Sequence, residues 1–203
     1  MNLINAIFPS LDDLSEQLVW LQRRETWAGD VKANFIRMVA LVIFTINEIF
    51  NYYLLHAVDK RFHIGSLIII SLWVIASINF HILLRRHWLP RATPYLMPSV
   101  DIFLVTWLIL LGDGPKSPLV GIYFLIIALA ALRLYPAAVL YTSCASAIGY
   151  LATWIFVKHQ KPIFAVPHFH VVITILCLLF MGIILAHGLT RVYVLLSEMR
   201  KER

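Results

Sequence analysis

Long apolar runs constrain this chain more than any other feature. "LIIISLWVIASINFHILL", residues 67–84, and "VVITILCLLFMGIILA", residues 171–186, contain no Asp, Glu, Lys or Arg. A helix of about 20 such residues crosses the hydrocarbon of a bilayer. Six runs can be drawn: 34–58, 63–84, 96–112, 117–135, 136–157 and 168–189. The third is short unless it begins near Pro94. Every spanning run must be helical, because a lone strand leaves its backbone unsatisfied in lipid. The weak alternation of a barrel is absent. The expected fold is therefore all-α, a polytopic bundle of six transmembrane helices. Composition agrees: 61% of residues are hydrophobic and 14% charged, with mean hydropathy +0.81. A soluble domain carries about a quarter charged residues.

Residues 1–33 form a cytoplasmic lead-in, 34–189 the membrane domain, and 190–203 a helical extension of the sixth span. The lead-in is not a signal peptide, since it lacks a basic start and its apolar residues are interrupted. It reads as an amphipathic helix. Ser10 can cap it in a box with Asp13, and Leu11, Leu14, Leu18 and Leu21 share one face. That face can pack on the bundle mouth or serve as an interfacial anchor.

Basic residues set the orientation. Arg23, Arg24, Lys32, Arg37, Arg85, Arg86, Arg91, Arg133, Arg191, Arg200, Lys201 and Arg203 fall on one side; Lys60, Arg61, Lys116, Lys158 and Lys161 fall on the other. Twelve against five puts both termini in the cytoplasm by the positive-inside rule. The net charge of +6 thus follows from topology, and no basic segment is long enough for a nucleic-acid partner.

The segment "LLGDGPKSPLVGIYF", residues 110–124, joins spans three and four on the outer side. Asp113, Gly114 and Pro115 are turn residues, and Ser117 with Pro118 can cap and start the next helix. A phosphate loop needs G-x-x-x-x-G-K-[ST] after a strand, which is not this spacing or setting. Cys144 and Cys177 both lie within spans, so neither a disulfide framework nor a CxxC metal site is expected. No serine-hydrolase elbow, HExxH or glycine-rich nucleotide motif occurs, and the chain is not expected to be an enzyme.

Polar residues inside spans are then the informative ones, because each is costly in lipid. Asn47, Glu48 and Asn51 lie in the first span, Asn79 and His81 in the second, Asp101 in the third, and His187 in the sixth. Glu48 is either an interhelical clamp with Asn47 or Asn51 nearby, or a proton or ligand site. Asp101 lies at a depth that Arg37 and Arg133 can reach, which points to a structural ion pair. Pro136 follows Arg133 so closely that spans four and five form a tight hairpin. His56, His63, His159, His168 and His170 flank the outer loops, where they are helix-end histidines or a pH or metal site. His81 and His187 share a similar depth, so bis-histidine haem ligation is a further alternative; no other cofactor is expected. After Gly188 the sixth helix continues without Pro or Gly, with Leu189, Val192, Leu196 and Met199 in heptad-like spacing.

"RRETW", "FNYYLL", "DKRFH", "DIFLVTWLILLGDGPKSPLVGIYFLIIALAALRL" and "GYL" resemble the six-helix membrane anchors of bacterial signalling proteins. These are the N-terminal domains of some class III adenylate cyclases, histidine kinases and serine/threonine kinases. The resemblance covers most of residues 23–200. Its marked positions are Asp101, Asp113, Gly114, Pro115, Ser117, Pro118, Tyr123, Phe124 and Arg133. It implies a dimeric sensor in the bacterial inner membrane that passes motion into a coiled coil and an effector. The sequence stops at Arg203, so an effector would follow in a longer protein or come from a partner. The second reading is an accessory subunit of a photosynthetic or respiratory complex, non-catalytic and binding lipid, pigment or quinone. Both readings place the chain in a lipid bilayer with a second copy or other membrane subunits.

Overall fold

The computed structural model describes the backbone of residues 11–56, 58–86, 93–160 and 166–201, and the side chains of those between Gly29 and Val192. Its helices are α1 (Leu11–Tyr53), α2 (Lys60–Arg85), α3 (Thr93–Leu111), α4 (Gly121–Ala131), α5 (Pro136–Gln160) and α6 (His168–Lys201), with no strand among the described residues. Five helices are long and apolar enough to cross a membrane: α1 over Gly29–Tyr53, α2, α3, α5, and α6 over His168–Val192. The protein is a helical membrane protein.

Local chemistry moves several boundaries from those expected. The lead-in is not a separate helix as far as its backbone is described, because α1 runs unbroken through residue 33. Ser10 and the side chains of Leu11, Leu14, Leu18 and Leu21 lie outside the described residues. Gly29 does not interrupt α1: a Cβ there would collide with the Leu132 carbonyl, so glycine is what lets α1 press on the α4–α5 turn. At its other end α1 stops at Tyr53, short of residue 58. The chain turns through His56 in a left-handed conformation (φ 48°). Asp59 then accepts the Lys60 amide at 2.8 Å and starts α2 earlier than its apolar run does.

The fourth run is the shortest element. Ser117 caps a 3-10 turn, Pro118–Val120, by accepting the Leu119 amide at 3.2 Å, and α4 follows. The helix ends at Ala131 rather than near residue 135. Pro136 disfavours helical geometry at Tyr135, and Leu134 adopts a left-handed φ of 55°. Although short, α4 is central, packing on α1, α3, α5 and α6. Tyr123, Ile126, Ile127, Leu129 and Ala130 are buried on it, as expected of a helix that is apolar all round.

Neighbouring contacts define two ends. At the apical end Gly112 abuts Phe62 and Gly114 abuts Val157. At the basal end the α4–α5 turn meets α1 at Gly29. The segment 118–131 therefore leads from one end of the bundle to the other. Between them lies a core of Leu41, Trp73, Val105, Leu108, Tyr123, Ile127, Val139, Tyr150 and Leu178.

Candidate functional site: ion pairs on the buried face of α1

Helix α1 is polar on its buried face and apolar on its exposed one. Asp30, Asn34, Arg37, Leu41 and Glu48 recur at helical spacing and are each 5% exposed or less. Phe35, Val42, Ile43 and Ile46 are more than half exposed on the other side. In water this would be inverted; in lipid it is the expected arrangement, since polar side chains must face the protein.

At the basal end two ion pairs are buried side by side. Arg37 Nη2 lies 2.6 Å from Asp101 Oδ2. The other Asp101 oxygen accepts Trp73 Nε1–H at 2.8 Å, so α1, α2 and α3 meet at one carboxylate. Arg37 Nη1 also donates to Asn34 Oδ1 at 3.3 Å, and the Asn34 amide donates to the Ser77 carbonyl at 3.2 Å.

Arg133 pairs elsewhere than expected. Its Nε lies 3.0 Å from Asp30 Oδ1, an ionic contact without hydrogen-bond alignment. Its Nη1 donates to the Pro94 carbonyl at 2.9 Å, and Nη2 approaches Met97 Sδ at 3.0 Å. The Pro94 contact has a covalent cause. Pro98 lies inside α3 and has no N–H, so the carbonyl four residues earlier loses its helical donor. Arg133 supplies the replacement. Burial lowers the pKa of Arg133 from its ordinary value, and the nearby Asp30 carboxylate is the largest influence opposing that. Asp101 is thus held by Arg37 alone of the two arginines in range. Sequence reasoning missed Asp30, although its seven-residue spacing from Arg37 places both on one face.

The apical end of α1 carries a third pair. Glu48 Oε1 accepts Ser66 Oγ–H at 3.1 Å and lies 3.3 Å from His63 Nδ1. Tyr52 stacks on the His63 ring with centroids 3.8 Å apart. Glu48 therefore clamps α1 to α2 as expected, but through His63 and Ser66. Asn47 is exposed and Asn51 half-buried, and neither is its partner.

The remaining expected residues are dispersed. Asn79 is exposed and donates to the Ile75 carbonyl. His81 on α2 is half-buried and His187 on α6 exposed; α2 packs on α1 and α3, whereas α6 packs on α5 and α4. His56 bonds the Tyr52 carbonyl, while His168 contacts Lys158 and the edge of Trp154. His159 and His170 are exposed. Among the described residues no group of three or more His, Cys, Asp or Glu can hold a metal ion. Asp113, Gly114 and Pro115 enter a 3-10 turn in which Gly114 takes φ 62° against Val157.

On α6 the packed face is formed by Val171, Ile175, Leu178, Gly182, Leu185 and Leu189. Gly182 admits the Ser143 side chain where any Cβ would collide, and Ser143 Oγ–H bonds the Leu178 carbonyl at 2.8 Å. Their spacing of four and three continues in the sequence to Val192, Leu196 and Met199. Val192 is half exposed, and the side chains of Leu196 and Met199 lie outside the described residues.

No family model, no curated protein and no solved structure matches the chain.

Proposed function

We propose that this chain is a membrane sensor and anchor domain that passes a stimulus through α6 to a cytoplasmic effector, as a homodimer in the bacterial inner membrane. The observation that carries the reading is α6 itself. It is one helix of 34 residues, longer than a bilayer needs, and it continues to Lys201 without a break. In the sequence, the spacing of the face that packs on the bundle continues along that extension. A shift of α6 against α5 is then carried outward by a rigid rod.

We read the segment 118–131 as a sixth crossing, since it leads between the two ends of the bundle. Six crossings return both termini to the basal side. That side holds twelve of the seventeen Lys and Arg residues, which supports a cytoplasmic placement. The ion pairs of α1 hold α1, α2, α3 and the α4–α5 turn as one body, against which α6 can move.

The test is disulfide crosslinking in membranes, with Cys144 and Cys177 replaced and single cysteines placed from Arg191 to Lys201. A parallel dimer gives crosslinking that peaks at Val192, Leu196 and Met199. A flat profile, with the protein co-purifying in fixed ratio with other membrane subunits, rejects signalling in favour of an accessory subunit.

A further inference from the structure

Beside the basal ion pairs a cleft of about 670 Å³ opens between α1, α2 and the α4–α5 turn. Phe35, Ile36, Met38 and Leu132 form apolar walls, with Lys32 and His81 among the other lining residues. The size falls within the usual range of small-molecule sites, about 300–1,000 Å³. Phe35 and Leu132 are 68% and 40% exposed, so the walls face the surrounding lipid. Lys32 lies near the start of the α1 span, His81 near the end of α2, and Leu132 just past α4. The start of the α1 span and the ends of α2 and α4 meet here, which sets the mouth of the cleft at the depth of lipid headgroups.

Charge decides the occupant. Among the described residues, the carboxylates at this end of the bundle are already committed, Asp30 to Arg133 and Asp101 to Arg37. Lys32 is exposed and makes no ion pair among the described residues. Lys32 is therefore the one Lys or Arg among the residues lining the cleft, and its charge is uncommitted. We infer that the cleft holds one anionic phospholipid, its acyl chain along Phe35, Ile36 and Met38 and its phosphate on Lys32. The acyl chain provides fit without selectivity, because the bilayer it leaves is equally apolar. Selectivity comes from the headgroup, as in other basic pockets at helix ends. The inference rests only on membrane placement and stands apart from the signalling reading.

The experiment uses the full chain, delipidated in detergent and titrated with phosphatidylglycerol or phosphatidylcholine of identical acyl chains, with native mass spectrometry counting retained lipid. One phosphatidylglycerol is retained in preference to phosphatidylcholine. Lys32→Gln lowers that preference about fivefold, the equivalent of about 1 kcal/mol for one basic contact; Lys32→Arg keeps it. Met38→Trp fills the cleft and reduces retention of both lipids. Equal retention of the two lipids overturns the inference, as does an unchanged preference in Lys32→Gln. Displacement of the lipid by millimolar inorganic phosphate also overturns it, since the site would then recognise the free anion.

Discussion

Removing Arg37 while leaving Asp101 tests whether the basal pair is a lock. Asp101 is 2% exposed and has two side-chain partners, Arg37 and Trp73. Arg37→Met keeps an apolar stem in place of the arginine methylenes but strands the carboxylate with one neutral donor. Breaking a buried pair in this way costs about 3–5 kcal/mol, because the remaining charge is uncompensated. Asp101→Asn still accepts from Trp73 but strands Arg37, with Asn34 as its other side-chain partner, and belongs to the same range. The double variant Arg37→Met/Asp101→Asn removes both charges, and its loss falls to about 1 kcal/mol or less, since apolar replacement of a buried pair is often neutral. The coupling in the double-mutant cycle is therefore about 5 kcal/mol or more, above the ordinary range for neighbouring residues of about 0.5–3 kcal/mol. Reversible unfolding of the purified chain in mixed micelles, followed by circular dichroism, measures all four corners. Single losses below about 1 kcal/mol with no coupling would refute the lock, because they would mean that water reaches the pair in the native state.

Two other substitutions probe the remaining contacts. Glu48→Gln can still accept from Ser66 and is tolerated, whereas Glu48→Leu loses roughly 1 kcal/mol, the scale of one intramembrane hydrogen bond; the same unfolding assay reads both, and equal losses refute the clamp. Gly182→Leu forces α6 away from Ser143 and costs about 1–3 kcal/mol or more as overpacking, while Gly188→Leu, which meets nothing within 4 Å, is neutral; a neutral Gly182→Leu means the α5–α6 seam is loose.

Hydropathy made the existence of the long helices legible, because lipid imposes helix on any run of that length. Boundaries were legible only where a residue type acts on the backbone. Asp59 caps α2, and Pro94 in the first turn of α3 accounts for a start earlier than residue 96. The end of α4 was hidden because apolar residues continue on both sides of Arg133 as far as Tyr135, although Pro136 marks a restriction there. Asp101 with Arg37 was readable from depth. Asp30 with Arg133 was not, since Asp30 fell outside the drawn span and the Pro98 gap in α3 that attracts Arg133 is a backbone effect. His63 as the partner of Glu48 depended on how tightly the α1–α2 corner folds back, which side-chain spacing within one helix does not encode.

The polar face of α1 has a consequence for how the protein is made. Its span carries Arg37 and Glu48, with Asp30 and Lys32 near its start, and a charge opposes insertion by up to about 2.5–3.5 kcal/mol at a helix centre and by less toward the ends. The partners emerge from the ribosome later: His63 is 15 residues behind Glu48 and Asp101 is 64 behind Arg37. Arg133, the partner of Asp30, comes later still. Helix α1 is thus synthesised before the partners of its charged side chains. Insertion of α1 is therefore expected to be cooperative with that of α2, α3 and the α4–α5 turn, which carry those partners.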